Sequence, residues 1–140
     1  MAVREQNLEG VGAVYGTFSI KQTGGVDDLK DADIGKAVQI TGNNQVGPAT
    51  DGSGFLGKLV DLTLTDADNG KRVATVQISG IMIVPITTTY PVVGDRVVGG
   101  ASGTVKKAPA LTGYDPAGGN IARGTVISVN GTTECTLIIN

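Results

Sequence analysis

The chain contains no histidine, and this absence removes most enzyme chemistry from consideration. Histidine is the usual base for serine and cysteine nucleophiles, the commonest general acid–base group and a frequent zinc ligand. Tryptophan is also absent, and the three tyrosines and two phenylalanines are dispersed over 140 residues. Aromatic platforms for sugars or nucleic-acid bases are therefore not expected. We predict that the protein is not an enzyme and that it has no catalytic residues and no cofactor.

Charge and long apolar runs are equally scarce. The 11 basic and 13 acidic residues give a net charge of −2, so the chain has no long-range attraction for nucleic acid. The longest apolar stretch, Ile81–Ile86, is far shorter than the roughly 20 residues that a membrane-spanning helix needs. One cysteine cannot form an internal disulfide, so folding does not require an oxidising compartment. We expect neither nucleic acid nor a membrane as a partner.

Glycine is abundant, with 22 residues, and many of the glycines belong to an internal repeat that covers about residues 35–79 and 94–140. The pairs that match at an offset of 59 are Gly35 and Gly94, Val38 and Val97, Val46 and Val105, and Ala49 and Ala108. An Asn-Gly pair at residues 69–70 recurs at residues 130–131. Asn-Gly is a strong hairpin signal, because both residues tolerate positive φ. Repeated strand–turn–strand units indicate a duplicated β architecture.

The segment before the repeat contains one strand pattern and one helical pattern. Gly12–Ile20 alternates apolar and polar residues with the period of a strand. Asp27–Gly35 is the only credible helical turn, with Asp27 or Asp28 as its cap and Gly35 at its end. Residues 1–10 have little apolar content and no turn chemistry, so we predict an N-terminal arm.

Together these patterns predict an all-β fold. We expect a single β domain over residues 11–140, with roughly ten short strands in a small β-barrel or β-sandwich. The domain is built from two similar strand-hairpin units and carries the N-terminal arm and one short helix. Gly80 is expected to mark a bend or bulge before the Ile81–Ile86 strand.

The acidic segments have structural explanations that need no cation. Residues 66–70 (DADNG) resemble the start of a calcium loop, but the third alternating ligand and the closing glutamate are missing, and a hairpin turn explains the same residues. The other acidic cluster comprises Asp27, Asp28, Asp31 and Asp33. Acidic residues near the positive end of a helix dipole account for it. We therefore predict no metal site.

The single cysteine is expected to be structural. Cys135 alternates in phase with Leu137 and Ile139, on the face opposite Glu134 and Ile138. Free cysteine is commonly buried, whereas a nucleophilic cysteine needs a base that this chain lacks.

Two segments are candidates for contacts with other molecules. Ile81–Val93 begins with a strand that is apolar on both faces, which is typical either of a strand buried on both faces or of one that packs on a neighbouring subunit. The candidate subunit-interface residues in it are Ile81, Ile83 and Tyr90. The Pro109–Asn120 segment has the turn residues of a surface loop and presents Tyr114 and Asp115 as exposed-loop candidates.

Several segments of the chain resemble the sequences of a known protein family. GKAVQITGNNQV, FLGKLVDL, VATVQISG, VGDRVVGGASGTV and ARGTVISV, within about residues 33–140, are similar to the small head decoration, or cement, proteins of tailed bacteriophages. The shared elements are a hairpin that begins G-x-x-V, a strand of the form (I/L)-G-x-(L/V)-V, and a strand of the form V-x-(V/I)-x-x-G. Similar elements then occur again in the second copy of the repeat.

The resemblance implies a compact β-barrel-like domain that is made in the host cytoplasm and forms homotrimers on the outer capsid surface of the virion. There it would bind the major capsid protein and brace the head against internal pressure. The arm of residues 1–10 would contact the capsid, and the candidate capsid-contact residues are Val3, Arg4, Glu5, Gln6 and Asn7. The alternatives are a carbohydrate- or host-surface-binding module displayed on the virion, with the Pro109–Asn120 loop as its site, and a small enzyme of the paired-carboxylate type.

Overall fold

The computed structural model describes residues 9–63, 70–110 and 121–140, and in these ranges the chain is all-β, as predicted. The strands are β1 (Val14–Ile20), β2 (Gln22–Thr23), β3 (Val26–Asp27), β4 (Ala37–Gly42), β5 (Gln45–Pro48), β6 (Gly57–Leu62), β7 (Val73–Pro85), β8 (Val97–Gly100), β9 (Thr104–Lys107), β10 (Thr125–Asn130) and β11 (Glu134–Ile139). A short 3-10 helix, Asp31–Asp33, precedes β4. Within the described ranges, no helix has the length and apolar character needed to span a membrane.

Five strands close into a β-barrel in the order β1, β5, β4, β6 and β7, and pairing between β1 and β7 completes the ring. We call this unit the first barrel. β1 and β5 run parallel, with Ser19 opposite Gln45 and Ile20 opposite Val46, whereas the other neighbours are antiparallel. Closure matters because it leaves no long unpaired edge between these strands.

The second half of the chain repeats this arrangement around the C-terminal part of β7. β11 pairs with residues 80–85 of β7 on one side and with β10 on the other. The β8–β9 hairpin joins the same ring through two isolated bridges, Ile86 with Val105 and Val97 with Arg123. We call this unit the second ring. The 13-residue strand β7 therefore runs through both units.

The two units have the same strand register, which confirms the duplication predicted from the repeat. The corresponding pairs are Ile20–Val46 and Ile86–Val105, Leu59–Val76 and Val126–Leu137, and Leu62–Ala74 and Val129–Cys135. A β-bulge also lies at the same place in both units, with Val60 or Ile127 as the extra residue. Below, two residues that occupy the same register position in the two units are called counterparts.

Each unit has its own apolar core. The first core contains Ile20, Leu29, Val38, Val46, Leu59, Leu62, Ala74 and Val76. The second contains Met82, Val84, Ile86, Val97, Val105, Val126, Cys135, Leu137 and Ile139, with Ala37, Ala49 and Phe55 from the first half of the chain. Every second residue of β7 faces one core or the other, because side chains alternate across a strand. The single domain over residues 11–140 stays a prediction.

The 3-10 helix begins later than predicted. Asp27 is the last residue of β3, which pairs with β2 around a turn at residues 24–25. Both turn residues are glycines with positive φ, which permits a tight β2–β3 hairpin. Asp27 and Asp28, the two predicted helix caps, form contacts with this hairpin instead. The Asp28 carboxylate accepts a hydrogen bond from the Thr23 hydroxyl at 3.0 Å. The expectation that Asp27 or Asp28 caps the helix was therefore wrong, and the helix is limited to Asp31–Asp33.

The β10–β11 hairpin turns at the predicted Asn130-Gly131 pair, where the Thr133 N–H donates to the Asn130 carbonyl at 3.2 Å. Gly131 has a φ of 57°, so this glycine supplies the left-handed conformation of the turn. Its counterpart Gly70 has a φ of 68°, and Asn69 lies outside the described residues.

Gly80 is the point at which β7 passes from the first barrel to the second ring. Its φ is +92°, and a Cβ atom there would lie 2.7 Å from backbone atoms of residues 11–13, which cross the strand at this position. A bulge lies two residues earlier, where the register between β1 and β7 shifts and Ile78 is left outside the ladder. The bend or bulge predicted near Gly80 is thus present, and the close crossing explains the glycine.

Arg123 connects the two units. It forms the bridge to Val97 in the second ring, and its guanidinium reaches the first barrel. There Nη1 donates to the carbonyl of Leu56 and, at 3.5 Å, to that of Phe55, and Nη2 donates to the carbonyl of Ile78 at 3.1 Å. Ile78 lies just beyond Gln77, whose pair with Lys58 is the last one between β6 and β7 at this end. Burial lowers the pKa of Arg123, since the surroundings desolvate its charge.

Candidate interaction surface

The acidic cluster before β4 is a set of structural contacts. Each carboxylate has a partner: Asp27 accepts from Gln22 at 2.9 Å, Asp28 from Thr23 at 3.0 Å, Asp31 from Arg72 at 2.6 Å, and Asp33 from Lys36 at 3.2 Å. Over residues 9–63, 70–110 and 121–140, no group of three or more histidine, cysteine, aspartate or glutamate side chains could hold a metal ion. The calcium-like segment at residues 66–69 lies outside the described residues.

Cys135 is a core residue, as predicted. Its side chain is buried in the second core, and its counterpart in the first core is Ala74. Burial, with a smaller contribution from the charge of Glu134, raises the pKa of the thiol to about 12. A protonated thiol inside an apolar core is a poor nucleophile, so the structure supports a packing role for Cys135.

Two turns, one in each unit, present an apolar residue to solvent in the same way. Ile34 precedes Gly35 and is 43% exposed, and Val93 precedes Gly94 and is 66% exposed. The two glycines have φ values of 98° and 94°, which glycine adopts at little cost. Their N–H groups donate to carbonyls of β6 and β10 at 2.7 and 2.8 Å. The turn geometry therefore fixes both apolar residues on the outside of their unit.

In the first barrel, the exposed turn residue belongs to a larger apolar surface. Ile34, Tyr15 of β1 and the bulge residue Val60 line one cavity of about 440 Å³. Tyr15 is 54% exposed, and Val60 is partly exposed. The ion pair between Lys58 and Glu9, with a separation of 2.7 Å, borders the cavity. We call Tyr15, Ile34 and Val60 the first patch.

The second ring has a corresponding apolar surface, formed by Val93, Ile127 and Ile138. Ile127 is the bulge residue that corresponds to Val60, and Ile138 is the counterpart of Gln77, which lines the cavity of the first patch. All three apolar residues are exposed. We call them the second patch. Exposed apolar surface on a folded protein is typical of sites that contact another protein, and here it occurs twice on one duplicated frame.

Ile81, a predicted subunit-interface residue, lies inside the chain. It is the counterpart of Tyr15, yet only 8% of it is exposed. The N-terminal segment covers it: the Gly10 N–H donates to the Ile81 carbonyl at 2.7 Å, and the Ile81 N–H donates to the Val11 carbonyl at 3.0 Å. Its side chain therefore has little surface to offer a neighbouring subunit.

The other predicted contact residues fall in different places. Ile83 is half-buried on β7, and Tyr90 is exposed in the connection between β7 and β8. The candidate capsid-contact residues Val3–Asn7 and the loop residues Tyr114 and Asp115 lie outside the described residues. The structure does not bring Ile81, Ile83 and Tyr90 into one exposed surface, and the roles assigned to all of these residues stay predictions.

Neither patch was predicted from the sequence, although the repeat contains a signal for both. Ile34-Gly35 and Val93-Gly94 are separated by the same offset of 59 as the matching pairs that defined the duplication. An apolar residue at the same turn position in both copies indicates a surface role, since turns lie on the surface.

Comparison with protein-family models, with curated proteins and with solved structures gives no match to this chain.

Proposed function

We propose that the protein is a decoration protein of a tailed-bacteriophage head, which binds the outer capsid surface as a homotrimer and stabilises the head. The observation that carries the proposal is the pair of apolar patches, which share their turn and bulge positions on the duplicated frame. The sequence resemblance to decoration proteins supports it independently. In this proposal the major capsid protein and neighbouring copies of the chain are the partners that cover the patches.

The energetics of such a surface favour repeated contacts over one strong contact. Burying the exposed half of a valine, isoleucine or tyrosine side chain contributes on the order of 1 kcal/mol. One patch alone therefore supports only weak association. A trimer presents six patches to a lattice of identical sites, and linked weak contacts add up to strong attachment.

The oligomeric state is the first test. Light scattering on the purified protein should give three times the chain mass of 14.1 kDa. A monomer over the whole accessible concentration range would argue against the trimer and would remove most of the multivalency on which attachment depends.

Attachment to heads tests the function directly. Added to bare expanded heads, the protein should adsorb saturably and raise the temperature at which the heads rupture. Val93→Ser should weaken adsorption or trimer formation by about tenfold, because it removes an exposed apolar side chain from the second patch. Val26→Ser is the matched control, since Val26 is 55% exposed but lies on β3, outside both patches. Equal behaviour of the two variants would exclude the patches as the contact surface.

A further inference from the structure

A second surface feature adjoins the second patch, with which it shares Ile138, but its chemistry is polar and charged. A pocket of about 370 Å³ lies at the end of the second ring. Its lining includes Arg96, Arg123, Thr125, Asn140, Ile138 and Ile139. Two arginines, a hydroxyl and the last residue of the chain, Asn140, thus share one pocket, and no aspartate or glutamate is among its described lining residues.

Neither arginine forms an ion pair with another residue in the described part of the chain. The ion pairs of the described residues involve other cations, namely Lys36, Lys58, Arg72, Lys106 and Lys107. Arg96 donates from Nη2 to the Ala122 carbonyl at 2.7 Å, and Arg123 donates to carbonyls of the first barrel. Carbonyl dipoles orient a guanidinium but leave its formal charge in place. The lowered pKa of Arg123, caused by desolvation, is consistent with a cation that lacks a counter-charge.

The duplication shows that this charge is not required by the frame. In the first barrel, Ala37 has the register position of Arg96. Leu56 corresponds to Arg123, because the Leu56 N–H donates to the Val38 carbonyl as the Arg123 N–H donates to the Val97 carbonyl. The same strand geometry is therefore built there without either cation. Arg123 has an evident structural use as the link between the units, whereas Arg96 is exposed and makes one hydrogen bond to a carbonyl. No second bond from the Arg96 side chain to a described residue is present, so its other N–H groups are available to a ligand.

We infer that this pocket binds an oxyanion, with Arg96 as the principal ligand and with Arg123, Thr125 and Asn140 around it. A planar guanidinium donates two parallel hydrogen bonds to a carboxylate or phosphate, which gives both charge and geometric recognition. The anion is either a carboxylate on the surface of a partner protein or a free inorganic anion. Both share the chemistry that the pocket recognises.

The test uses the purified chain, so it does not depend on whether the protein decorates a capsid. NMR signals of the arginine side-chain N–H groups are followed while inorganic phosphate, or a capped Gly-Glu-Gly peptide, is added at constant ionic strength. The expected result is a saturable shift at Arg96. Arg96→Gln should weaken binding at least about tenfold, and Arg96→Lys should restore part of it, because lysine keeps the charge but loses the fork.

Arg72→Gln is the matched control, since Arg72 already pairs with Asp31 and lies outside the pocket. Saturable binding of the peptide alone identifies a protein carboxylate as the natural ligand, and saturable binding of phosphate alone identifies a free anion. A linear, unsaturated shift with both probes, or the same affinity in Arg96→Gln as in the wild type, would overturn the inference. Retention of the backbone NMR spectrum in Arg96→Gln shows that any loss is not caused by unfolding.

Discussion

Replacing Arg123 with leucine should be among the most destabilising single changes in this protein. The substitution removes the bonds to the carbonyls of Leu56, Phe55 and Ile78. It inserts the residue type of Leu56, whose N–H makes the corresponding backbone bond in the first barrel. Leucine suits the backbone there, so the expected loss comes from the guanidinium and not from strain.

The magnitude follows from the number of good bonds. A hydrogen bond that involves a charged group contributes about 1.5–3 kcal/mol, and the two short ones are those to Leu56 and Ile78. Because the site is only partly buried, we take the low end of this range, which gives about 3 kcal/mol for the pair. In a chain of 140 residues this corresponds to a fall in Tm of roughly 10 °C.

Urea unfolding followed by circular dichroism measures the loss. Arg96→Leu is the matched control, because the same change there removes one carbonyl contact at an exposed site and should cost about 1 kcal/mol or less. Arg123→Lys should fall between Arg123→Leu and the wild type, since one ammonium group cannot reach two separated carbonyls as well as a guanidinium does. Raising the salt concentration should leave the difference nearly unchanged, because no ion pair is involved.

The reasoning would be refuted if Arg123→Leu lost no more stability than Arg96→Leu. That outcome would mean that water replaces the guanidinium on both carbonyls at no cost, and that the two units are held together by β7 and the packed cores alone.

Two further predictions concern the frame. Gly80→Ala should lower the free energy of unfolding, measured in urea, by more than about 2 kcal/mol, because it combines positive φ with a clash against the crossing backbone. Gly54→Ala is the control and should change this free energy little, since a Cβ atom there has no atom within 4 Å. Equal effects of the two substitutions would show that the crossing backbone moves aside easily. Cys135 should resist a thiol reagent at pH 8 until the protein unfolds, and fast labelling of the folded protein would contradict its burial. Because folding raises the thiol pKa from 9.0 to about 12, the unfolded state ionises first, so stability should fall as pH rises between these values. Cys135→Ala, which copies the counterpart Ala74, should lose stability less steeply over that range; identical pH profiles would mean that the thiol does not contribute.

Local patterns explain why much of the fold could be predicted. Turn glycines and strand alternation depend on a few neighbouring residues, so the Asn130-Gly131 hairpin and the buried phase of Cys135 follow from short segments. The repeat added a non-local constraint, since two copies of one pattern fold into two copies of one unit. The prediction that Asp27 or Asp28 caps the helix failed because an aspartate side chain can either cap a helix or bond within a hairpin. The two glycines at residues 24–25 favour the hairpin.

The candidate surfaces depend on contacts that no local pattern reveals. Ile81 and Tyr15 occupy counterpart positions, yet Ile81 is buried, with Gly10 and Val11 bonded to its backbone, and Tyr15 is exposed. The pocket at Arg96 likewise forms where strands that are distant in sequence meet.

A duplicated all-β chain with hairpins at defined glycines follows from the amino-acid sequence alone, because turn formation and side-chain alternation depend on individual residues and their neighbours. The closure of β1 on β7, the passage of β7 through both units, and the bond from Arg123 to the Ile78 carbonyl are visible only in the folded chain. These features join segments that are far apart in the chain. They arise from the geometry of ring closure, which forces strand ends, bulges and crossing segments into places that no single segment specifies.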